Sequence, residues 1–262
     1  MRHPHLKFRG ILILTALLLF GIGSGSAAAP GDLDTAFGSG GKVVTNPTIY
    51  TNLTGHSVAV QADGKIVVVG EASDLNSAIF FVAKFNPDGS YDTTFGDGGW
   101  AAIPGLGKSV AIQPDGKILI AGSNRIIRLT STGGYDTSFD GDGVVVVDTT
   151  VNGTNELLYD VAVAPDGKIV YGGTDNPSYE PNVRAMIGRL NANGTPDSTF
   201  APNGYITPVP GAVEDLTVLP DGSIFAAGEG DVQGQNFSTS FTIKVNSNGT
   251  IAWSNPSFGT LG

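Results

Sequence analysis

The chain has 262 residues, with 24 acidic against 14 basic side chains and no cysteine. That charge balance excludes a general nucleic-acid or anionic-membrane binder, which needs the opposite sign. Without cysteine there are no disulfides, thiolate metal sites, cysteine nucleophiles or lipid anchors on an N-terminal cysteine, so stability must come from the core. A chain of this size can bury about 70% of its unfolded surface.

Residues 1–29 have the layout of a secretory signal peptide. Arg2, Lys7 and Arg9 give a basic start, Gly10 to Ile22 an apolar stretch, and GSGSAAA a run of small residues, with cleavage expected after Ala28 or Ala29 and the second disfavoured by Pro30. The apolar stretch is shorter than the roughly 20 residues of a membrane span, which weighs against an uncleaved anchor. Removing the signal takes three of the 14 basic residues, leaving 11 against 24 acidic ones and a net charge of −13. A secreted, periplasmic or cell-surface protein is expected, bacterial in style and free of the membrane once the signal is gone. His3 and His5 leave with the signal, so a catalytic triad or zinc site would have to use His56, and TGHSVAV around it suggests neither.

Residues 30–262 read as one repeat domain. After LDTAFGSGG from Leu33, one phrase is written four times: VAVQADGKIVVVG from Val58, VAIQPDGKILIAG from Val110, VAVAPDGKIVYGG from Val161 and LTVLPDGSIFAAG from Leu216. Its aspartates, Asp63, Asp115, Asp166 and Asp221, are spaced by 52, 51 and 55 residues. A near-constant period of this size marks a propeller, solenoid or array. Two more phrases keep phase: a polar turn (NPDG from Asn86, TSTGG from Thr130, NANG from Asn191, NSNG from Asn246) and a tail (YDTTFGDGG from Tyr91, YDTSFDGDG from Tyr135, PDSTFAPNG from Pro196). The segment from Leu33 is an orphan copy of the tail.

Each unit reads as four short strands, SVAVQ, KIVVVG, IFFVAKFN and a last run of the GGWAAI type. Pro-Asp-Gly between apolar runs is a turn with a mechanism, since proline presets the first position, aspartate bonds local backbone and glycine accepts positive φ. Strands such as KILIAG are apolar throughout, as expected of strands covered on both faces. A propeller blade between two neighbours meets that condition, so the expected fold is all-β, about four four-stranded antiparallel blades. The orphan tail, about Asp32 to Thr45, is expected to close the ring by pairing beside FTIKVN at Phe241 to Asn246.

The combination VAxQPDGKIxxAG, FxVxxxN, NxDGxxD and TFGxGG resembles the bacterial delta-60 repeat, a β-propeller repeat of secreted proteins similar in rhythm to NHL repeats. The resemblance covers about residues 31 to 258. It departs in the last unit, where Ser223 replaces the turn lysine and TIAWSNPSFG lacks the aspartate. It implies a propeller and little about activity, because the family is defined by its repeat.

On this reading Lys65, Lys117 and Lys168 are solvated residues at strand starts, and Val68 and Ile118 lie buried between blades. The PDG and NxDG turns share one side of the blades. The opposite side carries segments that differ between repeats, EASDLNSA, SNR, TDNPSYEPNV and EGDVQGQNFSTS, and variable loops on a rigid scaffold are where binding sites are built. At the start of the first strand, which lines a propeller's channel, stand Ser57, Ser109, Asp160 and Asp215, with Glu214 beside the last. They are candidate contacts for a cation or polar substrate, Asp160 and Asp215 being the metal candidates with calcium at modest affinity, or else they bond local backbone at a strand start. Glu71 and Glu229 share another position after the second strand. FDGDGVVVVD from Phe139 lacks the ligand pattern of a calcium loop and reads as a glycine-rich turn. Tyr50, Tyr159, Tyr179, Trp100 and Trp253 could stack on sugars or wedge between blades.

Two functional classes fit. The first is a non-catalytic exported propeller that binds a protein or glycan partner, or serves as a structural module of the cell surface, with no required cofactor. The alternative is a propeller hydrolase, metal-assisted and lactonase-like, or glycan-cleaving through two carboxylates.

Overall fold

The recurring apolar phrases each become a pair of adjacent strands, and the strands group by repeat. The structure is a computed structural model describing residues 31–45, 52–73, 78–103, 105, 107–149, 156–175, 183–231 and 238–255; the expected signal, Tyr50 and Tyr179 lie outside them. Blade 1 holds β1 (Asn52–Val60), β2 (Ile66–Ser73), β3 (Ala78–Phe85) and β4 (Trp100–Ile103). Blade 2 holds β5 (Ser109–Ile112), β6 (Ile118–Gly122), β7 (Arg125–Leu129) and β8 (Val144–Val146). Blade 3 holds β9 (Leu157–Val163), β10 (Ile169–Thr174), β11 (Ala185–Leu190) and β12 (Tyr205–Ile206), and blade 4 holds β13 (Ala212–Val218), β14 (Ile224–Asp231), β15 (Ser238–Val245) and β16 (Ile251–Asn255). Each blade is a four-stranded antiparallel meander in chain order. No helix long and apolar enough to cross a membrane occurs among the described residues.

The blades stack through three apolar layers. Val67, Val69 and Val82 of blade 1 meet Val110, Ile118 and Ile127 of blade 2. Leu119 and Ile126 meet Leu158, Ile169 and Met186 of blade 3, and Val170 and Ile187 meet Leu216, Ile224 and Ile243 of blade 4. Both faces of blades 2 and 3 are therefore covered, and β6, β10 and β11 are buried along their whole length. This is why their sequences do not alternate. Val68 differs from the expectation: it points with Ile66, Ala83 and Phe85 to the outward face of blade 1 and is only half-buried.

The repeated tail is a detour between the polar turn and the fourth strand, and it carries charge into the fold. In blade 2, Asp136 accepts from Arg128 Nε at 2.7 Å and lies 3.3 Å from Lys117 Nζ, while its second oxygen accepts from the Ser138 amide and hydroxyl. Blade 3 repeats this with Asp197, Arg189, Lys168 and Thr199, and blade 1 with Asp92, Lys84, Lys65 and Thr94. The turn lysines are thus partners of a buried aspartate, not simply solvated strand starts. Three residues on from each aspartate, Phe95, Phe139 or Phe200 lies fully buried in the layer shared with the next blade. The cationic side chain of Lys84, Arg128 or Arg189 sits over its ring. The residue after Phe37, Phe95 and Phe139 has positive φ, at Gly38 (57°), Gly96 (54°) and Asp140 (52°), so the chain can turn sharply there. The FDGDG segment is accordingly the glycine-rich turn expected.

The N-terminal segment does not stitch the first blade to the last. Gly38 N–H donates to Asp88 O at 2.7 Å, and Phe37 and Val43 lie on the outward face of blade 1 with Ile66, Val68, Phe81 and Phe85. The place beside β15 is filled by the chain's own β16, which pairs Lys244 with Trp253 and Thr242 with Asn255. Substantial packing joins only successive blades among the described residues, and none runs from blade 4 to blade 1.

Asp136→Ala should cost about 3 kcal/mol in urea denaturation, because it strands the buried Arg128 guanidinium. Lys117→Ala should cost about 1 kcal/mol or less, since Lys117 is one-third exposed and Asp136 keeps Arg128. Ile118→Asp should not fold, as its charge would lose hydration without gaining a partner. Burial raises the Asp136 pKa, but bonds from Ser138 and the nearby Lys117 and Arg128 outweigh it and hold the group at about 2; Asp92 and Asp197 are lowered in the same sense. A lowered folded pKa makes the contribution complete above the unfolded value of about 4 and removes it as pH falls toward the folded value. The urea midpoint should therefore drop between about pH 4 and pH 2, less steeply in Asp136→Asn.

Candidate ligand-binding face

The first strands of successive blades, β1, β5, β9 and β13, pack side by side, and the Ser/Asp position forms a ladder across them. Ser57 Oγ accepts from Val110 N–H at 3.3 Å, and Ser109 Oγ accepts from Val161 N–H at 3.3 Å. Asp160 takes Ser109 Oγ–H at 2.6 Å and Val161 N–H at 2.8 Å on one oxygen, and Leu216 N–H at 2.8 Å on the other. Each of these three side chains thus reaches an amide of the next blade, and Asp160 also makes the local backbone bond that the sequence suggested, to Val161. Burial raises the Asp160 pKa, opposed by these bonds and assisted by the charge of Asp215. Asp215 itself is exposed.

Just before each of these residues stands another at a shared repeat position, which the sequence did not reveal as a set: His56, Tyr159 and Glu214 stood out singly and Lys108 not at all. A β-bulge interrupts β1 between Gly55 and Ser57, β9 between Leu158 and Asp160, and β13 between Val213 and Asp215. The extra residues are His56, Tyr159 and Glu214. Lys108 has the same role before β5, its N–H sharing Ala121 with Ser109. A bulge re-aims a side chain out of the regular pleat. Four unlike groups, imidazole, ammonium, phenol and carboxylate, therefore occupy one repeat position. His56 Nε2 lies 3.6 Å from Glu71 Oε1, and Tyr159 is held protonated by burial and by the charge of Glu214. Glu229 is exposed at the Glu71 position of blade 4. The signal was present at residues 56, 108, 159 and 214, where an otherwise regular phrase is preceded by four different polar side chains.

The β6–β7 connection and the start of β9 lie on this side, and between them opens a cavity of about 360 Å³ lined by Phe80, Ser123, Asn124, Arg125, Glu156 and Leu157. Its rim is tied down by Leu158 N–H to Ser123 O at 2.7 Å and Val147 N–H to Asn124 O at 2.8 Å. Glu156 is buried and accepts from the Thr149 amide and hydroxyl, both at 2.7 Å. The turns of the opposite side are built alike, and in blades 1, 2 and 4 the glycine of the first hairpin turn lies near the polar turn, Gly64 toward Pro87, Gly116 toward Ser131 and Gly222 toward Ser247. No group of three or more His, Asp or Glu side chains able to hold a metal occurs among the described residues.

Four antiparallel blades stacked face to face with their first strands adjacent define the β-propeller class. Residues 61–95, 113–139 and 164–200 match the family model described as "Domain of unknown function (DUF5122) beta-propeller". Among solved structures the chain is similar to a protein of unknown function from Bacteroides caccae (10% identity, TM-score 0.49, covering 80% of this chain and 69% of that one). It is also similar to a protein assigned as a gluconolactonase (15%, 0.45, 79% and 64%) and to one assigned as an exo-β-1,3-galactanase from Bifidobacterium bifidum (15%, 0.43, 79% and 74%). Identities this low leave the activities of those proteins with those proteins. No curated protein matches the chain.

Asp160→Ala should lose about 1–3 kcal/mol in chemical denaturation, because the Leu216 amide is left without its acceptor between two blades. Glu229→Ala, on the exposed end of β14, should stay within about 0.5 kcal/mol of the parent. Equal effects would mean that the ladder contributes nothing.

Proposed function

We propose that this protein is an exported, non-catalytic propeller of the delta-60 kind that binds a polar, sugar-like ligand on its variable-loop side. The observation that carries this reading is the single repeat position held by His56, Lys108, Tyr159 and Glu214. Where the scaffold repeats, side chains serving only the scaffold repeat too, as Asp92, Asp136 and Asp197 do. Four unlike groups there match an asymmetric ligand, with hydrogen-bond donors and acceptors and an aromatic ring in Tyr159 for the apolar face of a sugar. The neighbouring cavity adds Arg125 and Asn124 as donors.

Calcium at modest affinity belongs to the same proposal. Asp160 and Asp215 supply part of a shell that normally takes about 6–8 oxygens, and waters or ligand hydroxyls would complete it. Export through the N-terminal signal places the ligand outside the cytoplasm, as a free or surface-attached glycan.

Calorimetry with a panel of neutral and acidic oligosaccharides, with and without calcium chloride, tests the site. Tyr159→Ala together with Glu214→Gln should weaken binding about tenfold or more with an unchanged melting temperature. Asp160→Asn with Asp215→Asn should remove any calcium dependence. Isotherms identical to the parent for both double variants would remove the site from this face.

A further inference from the structure

Each interface between blades is made by the same three devices, donated by one blade and received by the next. The ladder residue bonds an amide of the next first strand, from Ser57 to Val110, Ser109 to Val161 and Asp160 to Leu216. The strand-three cation bonds a carbonyl of the next polar turn, from Lys84 to Ser131, Arg128 to Ala192 and Arg189 to Ser247. The tail phenylalanine fills the next blade's receiving face.

Blade 4 holds the donors of a fourth such interface and blade 1 its acceptors. Asp215 and Lys244 stand at the donor positions. Lys244 lies over the Phe225 ring at 5.4 Å, and Phe225 is 37% exposed where Val67, Leu119 and Val170 of the other blades are 0%. At the receiving position Val58 is 63% exposed, against 7% for Val110, 4% for Val161 and 7% for Leu216. Val60, paired with Ile66, is exposed as well, and a cavity of about 390 Å³ lined by Ile66 and Val68 opens between the N-terminal segment and blade 1.

The tail explains what should fill that gap. In blade 4, β16 follows the Asn246–Gly249 turn directly, with Ala252 where the other blades have aspartate, so blade 4 makes no detour there. A tail of that kind is seated on blade 1: Gly38 N–H bonds Asp88 O just as Gly96 bonds Thr132 O and Asp140 bonds Asn193 O. Among the described residues, blade 1 thus carries the tail of a preceding blade without the blade, and blade 4 is a blade without such a tail.

We propose that two copies of this chain join head to tail, blade 4 of each against blade 1 of the other, closing a ring of eight blades. Asp215 would accept from the partner's Val58 amide and Lys244 would reach the partner's Pro87 carbonyl, repeating the ladder and the cation contact. Faces that differ at the two ends either close or grow into a filament, and two copies reach the upper end of the usual range of about 4–8 blades.

Sedimentation equilibrium of the full mature chain should give twice the monomer mass. Val58→Asp and Phe225→Asp alter side chains exposed within one copy, so each variant should fold, with an unchanged circular dichroism spectrum, and each should weaken association on the order of 30-fold or more. Mixed, the two variants should recover one junction, because one retains the donor face and the other the receiving face, and should sediment as a pair. A parent that is monomeric at micromolar concentration, or that forms polydisperse larger species, overturns the closed pair, as does failure of the mixture to associate.

Discussion

One buried aspartate in each of blades 1 to 3 holds this structure in register. Asp92, Asp136 and Asp197 each gather a lysine from the first hairpin and a lysine or arginine from the third strand, so the carboxylate ties the chain's detour to two strands at once. A carboxylate that deep is stable only with such partners. Once fixed, it leaves the following phenylalanine nowhere to go but the neighbouring blade. The same residues thus fold the blade and dock it, and their cations bond the neighbour's turn carbonyl.

The period made the blades legible. A phrase returning every 51 to 55 residues, with Pro-Asp-Gly between fully apolar runs, fixes the hairpins and demands cover on both faces. It does not say which neighbour covers a terminal face, so Val68 could not be distinguished from Ile118. Nor does it say which partner receives an unpaired tail; the N-terminal segment was legible as a tail but not as one lying on blade 1. The lysines were misread because a lysine after a turn is usually solvated, and the aspartate that takes Lys65 lies 27 residues away. Their recurrence together with a charged residue inside otherwise apolar strands, Lys84, Arg128 and Arg189, was the available signal.

The candidate site was legible by position and not by geometry. Ser57, Ser109, Asp160 and Asp215 share a place in the repeat, which any alignment of the phrase to itself shows. Bonds from Ser57, Ser109 and Asp160 run to the next blade's amides, and only the stacking of first strands creates those distances. Bulges are equally silent in sequence, since an added residue in a strand of Val, Ser and Gly changes no periodicity long enough to notice. His56 and Tyr159 therefore stood out only as single residues and Lys108 not at all, because the position they share is visible only through the bulges.

The two ends of the blades divide the work between architecture and recognition. At the turn end the tail aspartate, the cations and the polar turn are so interdependent that a change in one strands a buried charge in another. At the opposite end the ladder needs only one oxygen per blade, and serine supplies it as well as aspartate. The neighbouring bulge residue takes no part in the ladder, and its chemistry differs from blade to blade. Blade 4 shows the division from the other side: with Ala252 in place of the aspartate and Ser223 in place of the lysine, its turn end has lost the knot, yet Asp215 and Glu214 remain at the ladder end. A blade can thus lose the device that engages its successor and keep the residues that face a ligand, because the two sets are built on opposite ends of the same strands.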